Sequence, residues 1–389
     1  MAEDNIRMDV GAANDENQIQ YHKEDYPSEK FKEDFIHEKS IQNDGKRSVK
    51  KYHYKPWKRS IAVKSIIAES EISNKIKDEA EKLWRFRNSS QIVKMFGITV
   101  VKWQPTEWET LICMELMDMS LDHIFRWIVK KETKLSNLVL CAIATNVIMG
   151  LAELKAQKIM HRDIKPGNIL VNRTGEVKLG DFGDAKFFER HDITKTSTGT
   201  YAYWSLERFD NAHYQLGYDD KSDIWSLAVI MIQLITHERP YSELGKHGVD
   251  IQRAREKTEE LQGQAWKKLT EVFSKYVQEE NLKEDLRNFI ALCLQPNESR
   301  LDCVQLLENS FIKIYSTEHA SRQECVREYF QNIQLDLIEN ERRGDTIPSL
   351  EHSSASSNIE FNPLRKGAPW AGDDTDTDDS QNGRMEEMD

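Results

Sequence analysis

The chain has 389 residues, 39% of them hydrophobic, which suffices for a two-lobed globular unit of roughly 250–300 residues with tails. A net charge of −12 argues against nonspecific nucleic-acid binding as the main role. The polar, acidic start from Met1 to Asn17 does not read as a signal peptide, and no apolar run reaches the ~18 residues that a membrane span needs. Cys113, Cys141, Cys293, Cys303 and Cys325 lie at no paired spacing, so reduced thiols are expected rather than a disulfide or zinc framework.

Residues 1–40 are charged and poorly periodic and read as a flexible arm, with a short helix over 28–39. Residues 41–117 are strand-rich: 60–67 is a β-branched apolar run, 70–87 is charged and helical in pattern, and 92–101 and 109–116 are further strand candidates. Beyond residue 118 the chain turns helical to about 335. Ile143, Val147, Leu151 and Leu154 recur at helical spacing, and the run from Asp223 to Ile235 is apolar almost all round, which marks a buried helix. Residues 336–389 read as a disordered acidic tail, with eight acidic side chains and only Arg384 as a base over 372–389. The fold class expected is α+β, a β-rich lobe over 41–117 followed by a helical lobe over 118–335.

The most informative stretch runs His161-Arg162-Asp163-Ile164-Lys165-Pro166-Gly167-Asn168, with Asp181-Phe182-Gly183 downstream. Phosphoryl transfer needs an attacking hydroxyl in line and positive charge around the phosphate oxygens. Asp163 can accept or orient the hydroxyl proton, Lys165 can neutralise charge, and Asn168 and Asp181 offer the hard oxygen ligands that suit Mg²⁺. Lys64, at the end of a strand, can reach phosphates, and Glu79, fifteen residues on, can orient it through an ion pair. Asp223 is expected to take backbone donors, with the His161–Arg162 loop as the candidate. Glu207 and Arg300 are expected to form a buried structural pair. Thr194, Thr196, Ser197 and Thr198 are candidates for regulatory phosphorylation, with Arg162 or Lys186 as partners for the added charge.

With these motifs in this order, residues 41–335 resemble a eukaryotic protein kinase domain. Ile112-Cys113-Met114-Glu115-Leu116-Met117-Asp118, Ser120-Leu121-Asp122, Leu216-Gly217-Tyr218 and Lys221-Ser222-Asp223-Ile224-Trp225-Ser226-Leu227 resemble, more narrowly, the mitogen-activated protein kinase kinases, especially the stress-activated branch. The resemblance implies ATP in the cleft between the lobes, bordered by Ile41, Val49, Lys64, Glu79, Met114, Glu115 and Met117. It implies Mg²⁺ on Asn168 and Asp181, and Asp163 and Lys165 at the reaction centre. It implies transfer of phosphate to Thr and Tyr in the activation loop of a downstream mitogen-activated protein kinase, and activation by an upstream kinase. The segment 321–333 resembles the helix on which the family docks its activators. A cytoplasmic location is expected, with the nucleus as a second one, and neither a nucleic acid nor a membrane as partner.

Four departures bear on that reading. The glycine-rich loop should fall at 42–47, where only Gly45 survives, so backbone donors approach phosphate less easily. Trp204-Ser205-Leu206-Glu207 lacks the usual proline, Ala228 replaces a glycine, and the N-terminal arm lacks the family's basic-then-hydrophobic docking motif, for which Arg342-Arg343 with Ile347 and Leu350 is a weak substitute. Residues 46–59 carry seven Lys/Arg with Tyr52, Tyr54 and Trp57 interleaved, read as the charged faces of a β-ribbon. Beside an active dual-specificity kinase stand two alternatives: a pseudokinase scaffold, and a Ser/Thr kinase with an unrelated substrate.

Overall fold

The computed structural model describes residues 6–7, 22–23, 33–43, 45–69, 74–104, 106–188, 199–208, 217–238, 280–317 and 319–343. Its N-terminal lobe is built on an antiparallel sheet of β1 (Phe35–Asn43), β2 (Arg47–Tyr54), β3 (Arg59–Ala68), β4 (Met95–Gln104) and β5 (Glu107–Met114), in the order β1-β2-β3-β5-β4. Two-residue periodicity splits β3 between faces. Ile61 and Val63 join Phe35, Leu111 and Cys113 in one cluster, against which Tyr52, Tyr54, Trp57 and Phe96 pack. The other face carries Lys64, registered opposite Val49 on β2 and Ile112 on β5, and Ala62, opposite Lys51 and Met114. The helix α1 (Asn74–Arg85) buries Ile76, Ala80 and Leu83 at helical spacing, and Glu79 falls on that same face.

Two expectations about the N-terminal residues change here. Glu33 and Asp34 are helical, but the helix expected over 28–39 gives way to β1 at Phe35, which lies within the segment read as an arm. Only Phe35 of β1 is buried; an edge strand paired on one side needs no alternating pattern, and its charged residues suit an edge. The aromatic residues of the basic ribbon are spent on packing: Tyr54 lies 4.6 Å from Phe35 and 4.9 Å from Trp57, and Trp57 lies 5.1 Å from Phe96, between ring centres.

In the C-terminal lobe β6 (Met119–Ser120) leads into α2 (Leu121–Lys130), whose start is fixed by Ser120 and His123 in a reciprocal cap. The helix α3 (Asn137–Ala156) follows. Contrary to the expectation from hydropathy, Leu138–Ala156 is long and apolar enough to cross a membrane; 67% of its most apolar window is buried inside the protein. Short strands β7 (Ile159–Met160), β8 (Ile169–Val171), β9 (Val177–Leu179) and β10 (Lys186–Phe187) pair as β9-β8-β6 and β10-β7. Every residue of α4 (Lys221–Thr236) from Ser222 to Ile235 is buried, as its unbroken apolar pattern requires. Helices α5 (Glu280–Cys293), α6 (Cys303–Leu306), α7 (Ser310–Thr317) and α8 (His319–Arg343) complete the lobe. Cys113, Cys141, Cys293 and Cys303 are free and buried, and the Cys141 thiol donates to the Phe311 carbonyl.

The helix α8 runs to Arg343, past the expected limit near 335. It buries Val326, Phe330 and Ile333, while Gln334 donates to Asp118 Oδ1 and Trp127 Nε1 donates to Asp336 Oδ2 at 2.8 and 2.7 Å. The lobes are joined by backbone bonds between Val93 and Leu179 and between Leu179 and Gln91, and by the two Glu115 oxygens on Lys178, both at 2.9 Å.

Glu207 meets Arg300 through both guanidinium nitrogens, at 2.6 and 3.2 Å, and Arg300 also donates to the carbonyls of Gln295 and Lys221. Burial favours the neutral Glu207 acid, and the guanidinium outweighs it, so the carboxyl titrates below its ordinary 4.5. Arg300→Ala should cost about 3–5 kcal/mol in urea unfolding, because Glu207 stays buried without a counter-charge. In the wild type the pair's contribution is fully present above pH 4.5 and is lost as the pH falls through the lower folded value. The variant should lack that acid-side loss.

Candidate active site

The site assembles where β3, α1 and the loops around β8 and β9 meet. Strand alternation turns Lys64 inward, and the apolar spacing of α1 turns Glu79 toward it. Lys64 Nζ donates to Glu79 Oε1 at 2.6 Å and to Asp181 Oδ1 at 2.8 Å. Burial works against the ammonium, but the charges of Asp181 and Glu79 outweigh it and raise the Lys64 pKa. The same lysine holds the Asp181 carboxyl well below the usual carboxylate range, against the effect of burial. Glu79 is nearly enclosed, whereas the Asp181 side chain is 48% exposed toward the cleft. Gly183 makes room: a Cβ there would stand 3.4 Å from both Asp181 Oδ1 and Glu79 Oε2.

The loop 161–168 is held from below by Asp223 at the start of α4. Its two carboxylate oxygens accept from His161 N and Arg162 N, each at 2.9 Å, as expected. His161 Nε2 faces the Gly180 carbonyl at 3.0 Å, and its ring lies 5.1 Å from Phe182. Phe182, fully buried, reaches Phe86 beyond α1. Arg162 and Asp181 both hold left-handed backbone, with φ of 67° and 57°, a conformation that costs about 1–3 kcal/mol at a non-glycine residue and recurs at functional sites.

Asp163 is buried at the centre. Its Oδ2 meets Lys165 Nζ at 2.6 Å and accepts from Asn168 Nδ2 at 3.0 Å. Its Oδ1 accepts from Thr200 N and Thr200 Oγ1, each at 2.9 Å. Burial lowers the Lys165 pKa, and the Asp163 charge more than reverses this, so the amine titrates above its ordinary value. Asn168 Nδ2 also donates to the Asp163 carbonyl at 2.8 Å, which turns the amide nitrogen inward and leaves the oxygen as the candidate metal donor.

The structure therefore brings Lys64, Glu79, Asp163, Lys165, Asn168 and Asp181 into one cluster. Val49 and Met114 share the Lys64 face of the sheet by register. Ile41 is 43% exposed, beside a β-bulge near the end of β1. The Glu115 carboxylate is engaged with Lys178 and Lys94 N, and its N–H with the Lys94 carbonyl, so its carbonyl is the group considered for a ligand, and Met117 is buried two residues on. Thr194, Thr196, Ser197 and Thr198 lie outside the described residues. Thr200 and Lys178 were not signalled by the sequence: each acts through a partner 37 or 63 positions away, and no local pattern announces such pairs.

A profile of the protein kinase domain matches residues 44–312. The chain belongs to the protein kinase family. Protein kinases in general use ATP and a divalent metal. The kinase is also similar to the dual specificity mitogen-activated protein kinase kinase hemipterous of Drosophila melanogaster, 28% identical over 306 residues. The matched region is 76% of this chain and 23% of that protein, so the kinase spans about a quarter of its relative.

Gly199 sets the approach of Thr200 to Asp163. It has a φ of +87°, and a Cβ there would collide with the Arg162 carbonyl oxygen. Gly199→Ala should destabilise the kinase by more than about 1 kcal/mol in thermal unfolding and lower kcat by moving Thr200 off Asp163.

Proposed function

We propose that the kinase is an active dual-specificity enzyme of the mitogen-activated protein kinase kinase type. In this reading it phosphorylates Thr and Tyr in the activation loop of a stress-activated mitogen-activated protein kinase. The observation that carries the reading is the complete charged cluster: Lys64 paired with Glu79 and Asp181, and Asp163 paired with Lys165 and Asn168. A binding scaffold has no need of all six groups at these distances. The likeness to hemipterous supports the substrate class.

The residues present suit Mg²⁺. Asp181 keeps half of its side chain open to the cleft, and Asn168 adds an amide oxygen; one or two protein oxygens completed by substrate phosphates is the usual arrangement for this ion. Mg²⁺, held by Asp181 and Asn168, would supply positive charge to neutralise the phosphates. The residues of the chain do the rest. Lys64, held by Glu79, binds the α- and β-phosphates. Asp163 accepts or orients the proton of the attacking hydroxyl, with Thr200 fixing its other oxygen. Lys165, raised in pKa and protonated at neutral pH, faces the transferring group. Adenine meets the backbone of Glu115 and Met117, beside Met114.

In this reading an upstream kinase phosphorylates the segment 194–198, with Arg162 and Lys186 as partners for the new charge. The kinase acts in the cytoplasm and, for nuclear substrates, in the nucleus.

Purified kinase, Mg-ATP and a catalytically dead stress-activated protein kinase should yield phosphate on both Thr and Tyr, read by mass spectrometry. Asp163→Asn should lower kcat by roughly 10²–10⁴-fold. Asp181→Asn and Lys64→Met should abolish transfer; equal rates for wild type and Asp181→Asn would favour the scaffold. Phosphate on Ser and Thr alone would favour a kinase for a different substrate class.

The eroded glycine loop should show as a high KM for ATP at near-normal kcat. Asn43→Gly should lower that KM.

A further inference from the structure

A pocket of 470 Å³ opens on the N-terminal lobe between Trp57 and Arg59, the end of α1, and the start of β4. Arg59 lies five positions from Lys64 on β3, hence on the opposite face of the sheet, so the pocket is separate from the ATP cleft. Its walls alternate aromatic rings and cations. The Arg59 guanidinium carbon stands 4.7 Å from the Trp57 ring centre and 4.5 Å from that of Phe96. Arg87 stands 5.2 Å from Trp84 and donates to its carbonyl. Lys94 is the third cation, exposed at the rim.

Stacking on rings fixes where these guanidinium groups sit without neutralising them. Among the described residues no carboxylate pairs with Arg59, Arg87 or Lys94. Three uncompensated positive charges around aromatic walls make a receptor for an anionic segment that also carries an apolar ring. The chain itself contains such a segment. Trp370 is followed by Asp373, Asp374, Asp376, Asp378 and Asp379, and then by Glu386, Glu387 and Asp389, with Arg384 the only base after Trp370.

We infer that this acidic tail docks in cis on the pocket, with Trp370 against the aromatic walls and the aspartates on Arg59, Arg87 and Lys94. The path is short enough. Helix α8 ends at Arg343 after binding Asp118, the residue that follows Met117, and the pocket residue Lys94 accepts through its carbonyl from Glu115 N. Gln334 and the receptor thus both border the segment that joins the lobes, and the helix carries the chain nine residues, about 13 Å, beyond that point to Arg343. The 27 residues from Arg343 to Trp370 span up to about 90 Å when extended. Tethering gives an effective concentration of order millimolar, so weak individual contacts suffice.

Docking bears on regulation, because Trp84 belongs to α1, the helix that carries Glu79, and Arg87 follows directly. That consequence rests on the proposed catalytic reading, whereas docking does not, and its test needs no turnover. Amide hydrogen exchange of the full chain should show residues 84–96 and 370–379 protected together. Neutralising the tail, with Asn at 373, 374, 376, 378 and 379, should speed exchange at 84–96 by roughly tenfold, and Trp370→Ala should act in the same direction. The double variant Arg59→Glu/Arg87→Glu should lose protection at 370–379, and placing Lys at the five tail positions in that background should restore it.

The tail variants change no residue described in the two lobes, so they decide the matter even if charge reversal in the pocket impairs folding. Unchanged exchange at 84–96 in the neutral-tail variant overturns the inference and leaves the pocket to an acidic segment of another protein. Protection that falls on dilution also overturns it, in favour of a second copy of the chain.

Discussion

Everything at the centre of this molecule depends on one ammonium shared by two carboxylates. Lys64 comes from a β-sheet, Glu79 from the helix α1 of the same lobe, and Asp181 from a loop of the other lobe. Opposite charges at 2.6–2.8 Å in a poorly solvated setting attract far more strongly than in water, and each carboxylate offsets the burial of the lysine. The triad therefore reports three positions at once. A shift of α1, of the sheet or of the loop would leave a buried charge uncompensated, so the arrangement favours all three in place. Asp181 faces the cleft with half its surface, so it can serve the lysine and still present oxygen to an ion.

That triad would be imprecise without a firm floor, and the floor is supplied by buried carboxylates acting on backbone. Asp223 takes two adjacent N–H groups of the loop that carries Asp163. Burial raises its pKa despite those donors and the Arg208 guanidinium nearby. The choice of α4 as the carrier follows from its sequence: a helix buried on every side cannot move without opening the core. Further out, Glu207 and Arg300 add a tie between side chains, joining the segment after Thr200 to the loop that precedes α6.

Much of this was legible from residue order because the chemistry is local. The run from His161 to Asn168 carries its own Asp, Lys and Asn within eight positions, and the pairing of Lys64 with Glu79 needs only a strand followed by a helix of known face. The triad's third member was identified as a metal ligand but not as a partner of Lys64, since 117 positions separate them. Thr200 is silent in the sequence for the same reason, 37 positions from Asp163. The strand β1 has no sequence signature of its own, because an exposed edge carries no burial pattern. The basic ribbon was read as charged faces, and its aromatic residues turned out to build a second cluster on the outer face of the sheet, a contact between β2, β3 and β4 that no single segment reveals.

The loss of glycines in the turn between β1 and β2 fits the same logic. Gly45 keeps the left-handed conformation that the turn needs, with φ of +75°, and no atom lies within 4 Å of where its Cβ would be. It is therefore required by the backbone of the turn and not by crowding. The turn is anchored from the side, since the Lys46 carbonyl accepts from Ile67 N at 2.9 Å, and the Lys46 amine stands 3.6 Å from Glu107. Such a turn is held by the sheet more than by a ligand. In the proposed reading, phosphate contacts that backbone amides make elsewhere would pass to side chains, with Lys46 and Arg47 near the turn and Lys64 at the site. Side-chain cations attract phosphate without fixing its direction, so the cost falls on ground-state binding of nucleotide, while the groups at the transferring phosphate stay in place. Erosion of the loop and retention of the charged cluster are thus compatible features of one enzyme.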